Sequence, residues 1–204
     1  MRNVIAHPTT LATLRRKAAD CRACDLWKNG TQTVFGEGTR KADALFLGEQ
    51  PGKEEDRLGR PFVGPAGRLL DRALAEAGLD RTRLYLTNVV KHIKYEIRAG
   101  RQVNVPADSA ERQACRPWLD AEIASVRPAL IVCLGATAAT AILGKSFRLL
   151  RQRGTFLPLR DDVSAFATVH PSYLLRMPRE TRADGYRTFV TELTHVRKFL
   201  DRTG

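Results

Sequence analysis

The chain has 204 residues, 43% of them hydrophobic, which suits a single domain spanning 1–204 with a real core. Its 34 Lys+Arg against 22 Asp+Glu give a net charge of +12 and a pI near 10.1. This composition excludes a disordered chain, a collagen-like chain and a small disulfide scaffold, and no stretch approaches the roughly 18 apolar residues of a membrane span. The first 20 residues carry neither a signal-peptide apolar core nor a twin-Arg signal, so a soluble cytoplasmic protein is expected. The excess of positive charge points to a polyanion, most often nucleic acid; the alternative is solubility alone.

In chain order, Thr9 to Asp20 reads as a helix capped by Thr9 or Thr10, ending at the first cysteine. Residues 25–40 are polar and Gly-rich, hence a loop. Ala42 to Leu47 reads as a buried strand broken by Gly48. Pro65 to Ala77, with Leu69, Leu70 and Leu74 at helical spacing, reads as a helix stopped by Gly78. Leu84 to Thr87 is a second strand, and residues 92–107 are charged and irregular. Ser109 to Val126 is a helix stopped before Pro128, Ala129 to Leu134 a third strand, and Ala136 to Leu143 a helix. Phe166 to Val169 is a fourth strand. Residues 178–202 form a last helix, with Phe189, Leu193, Val196 and Leu200 on one face.

This alternation predicts an α/β fold, a three-layer α/β/α sandwich around a four-stranded parallel sheet. In such folds ligands bind beyond the carboxyl ends of the strands. Those ends carry Gly48-Glu49-Gln50-Pro51-Gly52, then Asn88 with Lys91-His92, then Gly135-Ala136-Thr137, then His170-Pro171-Ser172. A carboxylate, an amide and an imidazole are thus expected at one edge.

All four cysteines, Cys21, Cys24, Cys115 and Cys133, can be read as one set of soft ligands. The residues alone leave zinc and an iron–sulfur cluster open, and also leave open that Cys133 is an ordinary buried side chain in a core strand. None lies at the polar edge, so their role is expected to be structural. Two signals are rejected. Gly144-Lys145-Ser146 lacks the earlier glycine of a phosphate loop, since position 139 is Ala139. His7 and His195 have no metal-ligand spacing.

Larger motifs carry a resemblance. Gly48-Glu49-Gln50-Pro51-Gly52-Lys53-Glu54-Glu55-Asp56 followed by Gly59-Arg60-Pro61-Phe62-Val63-Gly64-Pro65-Ala66-Gly67 resembles the first motif of the family 4 uracil-DNA glycosylases. Thr87-Asn88-Val89-Val90-Lys91 resembles their second motif and His170-Pro171-Ser172-Tyr173-Leu174-Leu175-Arg176 their last. Within the superfamily, Gln50, the run Lys91-His92-Ile93-Lys94 and Cys115-Arg116-Pro117-Trp118-Leu119 resemble the UdgX branch, whose inserted basic loop carries a histidine that attacks the sugar and traps the DNA. The corresponding loop here is Gly100 to Asn104, and Asn104 stands at the histidine position. An amide nitrogen is essentially non-nucleophilic, so a hydrolytic, monofunctional glycosylase that turns over is expected. The alternatives are a tight uracil-DNA binder with little turnover and a covalent link through another residue, such as His92.

The resemblance implies a structural [4Fe-4S] cluster on Cys21, Cys24, Cys115 and Cys133, and uracil-containing DNA, single- or double-stranded, as the partner of a monomer. It implies stacking of an extruded uracil on Phe62 and reading of its edge by Asn88, with Gly48 and Gln50 also at the uracil and Gln50 positioning the water or the DNA. It implies a hydrogen bond from His170 to the uracil oxygen and a carboxylate, Glu49 first and Glu55 second, that stabilises the sugar cation or orients water. Phosphate contacts are expected from Lys91, Lys94, Arg98, Arg101, Arg151, Arg153, Arg176 and Arg179, with Ser172 at the DNA and Leu174 and Leu175 as wedges.

Overall fold

A computed structural model describes residues 10–160 and 162–203. The His7 position and the Thr9 alternative for the first cap lie outside these residues. Strands β1 (Glu37–Gly38), β2 (Ala44–Gly48), β3 (Leu84–Asn88), β6 (Leu130–Leu134), β7 (Phe156–Arg160) and β8 (Val163–Thr168) form one sheet in the order β1-β3-β2-β6-β8-β7. The four inner strands are parallel, as expected, while β1 and β7 add antiparallel edges. β1 is too short to leave a pattern. β7 contains Pro158, which argues against a strand in sequence but is tolerated at an edge, and the register shifts between Pro158 and Arg160.

Alternation along the inner strands divides two cores. Ala44, Phe46, Leu130, Val132, Leu134 and Phe166 face α3 (Pro65–Glu76), α7 (Pro171–Arg176) and α8 (Arg179–Thr203). Leu45, Leu47, Ile131 and Cys133 face α4 (Ser109–Val126) and α5 (Ala136–Leu143), and α1 (Leu11–Ala18) packs on α4. With both faces covered, the strands read as continuous apolar runs rather than alternating ones.

The helix ends follow local chemistry. The Thr10 hydroxyl accepts from the Thr13 N–H. Asp108 and Glu111 form a reciprocal cap at the start of α4, and Arg127, in the left-handed region ahead of Pro128, ends it. On α8, Phe189, Leu193 and Val196 are buried, and Leu200 is only partly so. Of the described residues, none lies in a helix long and apolar enough to cross a membrane.

Two elements at the strand ends had no expectation. A short helix, α2 (Lys53–Leu58), follows the Gly48–Gly52 loop. The charged segment after β3 is a hairpin, β4 (Tyr95–Arg98) with β5 (Arg101–Asn104). Its two-residue turn, Ala99-Gly100, has both φ angles positive, which matches the twist of a tight hairpin.

Candidate active site

The register of the sheet sets Gly48, the last residue of β2, against Asn88, the last of β3. A Cβ on Gly48 would lie 2.4 Å from Asn88 Oδ1 and 2.7 Å from Phe62 Cζ. Glycine thus lets an amide and an aromatic ring close on the end of the strand. Asn88 is buried; its carbonyl accepts from Lys91 Nζ at 2.6 Å, but among the described residues its side-chain amide has no partner.

Phe62 is held in the left-handed region at φ 55°, a strained setting for a bulky residue. Gly67 permits it, because a Cβ there would fall 1.9 Å from the Phe62 carbonyl oxygen, and Arg81 donates to that oxygen at 3.3 Å. The Phe62 ring lies 6.2 Å from the His170 ring, centroid to centroid, with 29° between planes.

His170 caps α7, and its Nδ1 accepts from the Ser172 N–H at 3.1 Å, with the Ser172 hydroxyl at 2.8 Å. An acceptor at Nδ1 leaves the ring proton on Nε2. Burial, reinforced by the Arg176 charge, holds the His170 pKa down at about 4, so the ring is neutral at neutral pH. The side chain is a neutral donor next to the Phe62 ring.

The two carboxylates differ sharply. Glu49 Oε1 is buried and has no hydrogen-bond partner among the described residues. Glu55 Oε1 accepts from the Gly64 N–H at 2.8 Å and Oε2 from the Gly52 N–H at 3.1 Å. Glu55, the second choice for the carboxylate at the sugar, thus staples the two glycine turns of this motif. Gln50 is engaged in the same way. Its Oε1 accepts from the Lys94 N–H at 3.0 Å and its Nε2 donates to the Val105 carbonyl at 2.9 Å, so its amide holds the base of the hairpin rather than a ligand. Asn104, exposed at the end of β5, brings its Nδ2 to 4.0 Å from the place a Gly52 Cβ would take.

Comparison with known proteins agrees with this arrangement. The model of the uracil DNA glycosylase superfamily matches residues 35–194. The chain belongs to that superfamily. It is 38% identical over 187 residues to a type-4 uracil-DNA glycosylase of Thermotoga maritima, covering 90% of this chain and 91% of that one. It is 34% identical to a type-4 uracil-DNA glycosylase of Sulfurisphaera tokodaii over 83% of this chain and 77% of that one. A third type-4 uracil-DNA glycosylase, from Archaeoglobus fulgidus, is 35% identical, with coverages of 83% and 85%.

In this member of the superfamily, three of the four thiols come together. Burial raises the pKa of Cys24 and of Cys115, and the nearby thiols add to it, Cys21 at Cys24 and both Cys21 and Cys24 at Cys115. Trp118 Nε1 donates to Cys21 Sγ at 3.1 Å, and the Lys91 main chain lies beside Cys115. Cys133 is fully buried between Leu47 and Ala167 in the sheet, and burial alone pushes its pKa up, to about 12. Its strand position is an apolar one, in the same buried cluster as Cys115 with Cys24 packed against it. His92 is tied to the segment before Cys21. It follows Lys91 directly, and its Nε2 is 2.9 Å from Thr33 Oγ1, which donates to the carbonyl of Ala18, three residues before Cys21.

Among the described residues no three His, Cys, Asp or Glu side chains are gathered tightly enough for a single metal ion. A sulfide-bridged cluster spreads its ligands farther apart, and neighbouring thiols of which Cys24 and Cys115 are costly to ionise unaided fit such a group.

The basic residues sort by partner. Lys91 is 1% exposed and pairs with Glu122 Oε2 at 2.5 Å, so it is no phosphate contact. Lys94 pairs with Glu111 and Asp108, Arg98 with Glu96 and Arg153 with Glu192. Arg101, Arg151, Arg176 and Arg179 are exposed. Leu174 is buried in the core, which rules it out as a wedge, whereas Leu175 is exposed. Ser172 is engaged with His170. Tyr173, 46% exposed beside Leu175, is a surface aromatic that the motif reading passed over. The helical phase of α7, which turns 174 inward and its neighbours outward, is the signal that would have found it.

Proposed function

We propose that the chain is a uracil-DNA glycosylase acting in base-excision repair: it takes uracil out of the DNA stack, hydrolyses the N-glycosidic bond and leaves an abasic site without a covalent DNA link. The observation that carries this reading is the convergence at the strand ends of the Asn88 amide, the Phe62 ring and the neutral His170, with Gly48 letting the amide and the ring approach. Names of type-4 uracil-DNA glycosylase attach to relatives aligned over most of this chain and theirs.

The residues suggest a division of labour. An extruded uracil stacks on Phe62, an interaction worth about 1–3 kcal/mol per base. The Asn88 amide donates to O4 and accepts from N3–H. Cytosine reverses both demands and leaves polar groups unpaired. As the C1′–N1 bond breaks, its electron pair moves onto the uracil ring, and His170 Nε2–H donates to O2 as negative charge grows there. Glu49, the carboxylate with a free oxygen, faces the sugar cation or holds the water that adds to C1′; the water's second proton leaves to solvent. Arg101, Arg176 and Leu175 are the remaining candidates for contact with the DNA.

We assign the thiols to a [4Fe-4S] cluster on Cys21, Cys24 and Cys115, with His92 a candidate for the fourth position. Such a group ties the N-terminal segment to α4 and to the chain after β3. The UdgX-like features, with Asn104 where that branch has its nucleophile, explain why no adduct is expected.

The test mixes purified protein with a labelled single-stranded uracil oligonucleotide. One half is run on a denaturing gel and the other is cleaved with alkali at abasic sites. Abasic product with no shifted band supports the reading. A denaturation-resistant band overturns the non-covalent part, and intact uracil DNA in both halves overturns the glycosylase assignment.

A further inference from the structure

At the centre of the sheet's α4 side lies a charged network that the chemistry above does not use. Lys91, 1% exposed, donates from Nζ to Glu122 Oε2 at 2.5 Å, to Thr87 Oγ1 at 2.7 Å and to the Asn88 carbonyl at 2.6 Å. Glu122, also fully buried, accepts in addition from the Tyr85 hydroxyl at 3.0 Å, the Thr87 hydroxyl at 2.9 Å and the Gly36 N–H at 2.8 Å. All three protons of the ammonium have acceptors, and the carboxylate has donors on both oxygens. A buried ion pair is retained at a cost in desolvation, and an apolar pair of similar volume is often at least as stable, so stability alone does not account for it.

What the pair holds is specific. Lys91 Nζ binds the peptide carbonyl of Asn88 itself, and the main chain of Lys91 lies beside Cys115. The segment from 87 to 91 is further tied by Val89 N–H to the Gly48 carbonyl at 2.9 Å and by Val34 N–H to the Lys91 carbonyl at 2.7 Å. The amide plane of Asn88 follows from where its own backbone is anchored, and base-edge hydrogen bonds weaken steeply with misalignment.

We infer that the Lys91–Glu122 pair is the positioning device for the base-reading amide, linking Asn88 on one side to the thiol-bearing helix on the other. Lys91 does not touch substrate; it acts through Asn88. The inference rests on the proposed reading of Asn88.

The experiment is a double-mutant cycle in the full-length protein. Lys91→Met with Glu122→Gln removes both charges together, so neither is left buried alone. Asn88→Ala removes the amide. We expect the charge-pair variant to fold, to bind uracil-free DNA within threefold of wild type and to lose 30-fold or more in kcat/KM on uracil DNA. We expect the same charge changes in the Asn88→Ala background to cost less than threefold further, because the amide they position is already gone. Losses that multiply instead overturn the inference. Should the charge-pair variant not fold, Thr87→Val, which deletes one acceptor of Lys91, enters the same cycle with the same criterion. A wild type with no excision at all refutes the glycosylase reading itself and is distinct from a multiplicative cycle in an active enzyme.

Discussion

Gly48→Ala is the sharpest test of the pocket. The added methyl would sit 2.4 Å from Asn88 Oδ1 and 2.7 Å from Phe62 Cζ, both well inside contact distance. A methyl has no rotamer to escape by, so it displaces the ring, the amide or an incoming base. Loss of stacking is worth about 1–3 kcal/mol and loss of the edge pairing about 1–3 kcal/mol. At 1.36 kcal/mol per tenfold, loss of one of these lowers kcat/KM at least about 5-fold and loss of both at least about 30-fold. Crowding costs the fold about 1–3 kcal/mol, a range set by how far Phe62 and Asn88 give way. The assay is steady-state uracil release from a single-stranded oligonucleotide, with binding of a uracil-free oligonucleotide and thermal unfolding as controls. Uracil-free binding should be unchanged. A variant within threefold of wild-type kcat/KM would refute the argument, since the methyl would then have disturbed neither the ring nor the amide.

Three further outcomes are expected. Asn104→His should convert turnover into a denaturation-resistant DNA adduct on a gel, because imidazole is nucleophilic and the position borders the Gly52 turn; unchanged turnover without adduct would show that residue 104 does not reach the sugar. Cys115→Ser should lose the iron and its visible absorbance, whereas Cys133→Ala should keep both and lower stability by about 1 kcal/mol through a small cavity; loss of iron from Cys133→Ala would restore that residue as a ligand. The unfolded chain protonates His170 near its ordinary 6.5 but the folded one only near 4, so the unfolded state holds more protons between these values and stability falls as pH drops through that window. His170→Gln should remove this part of the fall; a wild-type-to-variant difference in urea midpoint that does not change with pH would contradict the buried neutral ring.

The inner sheet was legible because both its faces are covered, so each strand appears as an unbroken apolar run, as in Ala44–Leu47 and Leu130–Leu134. The edge strand with Pro158 and the four-residue hairpin strands were not, since they are short, charged or interrupted by proline and carry no apolar run. Within the site, motif order located Gly48, Glu49, Phe62, Asn88 and His170. It did not separate residues with a free polar group from those whose groups are consumed by the backbone, which is why Glu55 and Gln50 changed role. Lys91 misled for a related reason. A lysine in a basic chain reads as a surface charge, and only the three-dimensional proximity of Glu122, 31 positions away, buries it. Cys133 shows the converse, a residue type suited to a ligand but lodged where a strand needs a small apolar side chain.

The Gln50 amide joins the loop after β2 to both feet of the hairpin, at Lys94 and Val105. The ten residues between those feet are thereby a replaceable cartridge. Its socket is fixed by the same motif that carries Glu49, so the tip can change length or composition without moving the carboxylate or the base-reading amide. A scaffold built this way can vary its exposed hairpin by altering a few residues, leaving the sheet, the glycine turns and the thiol-bearing helix untouched.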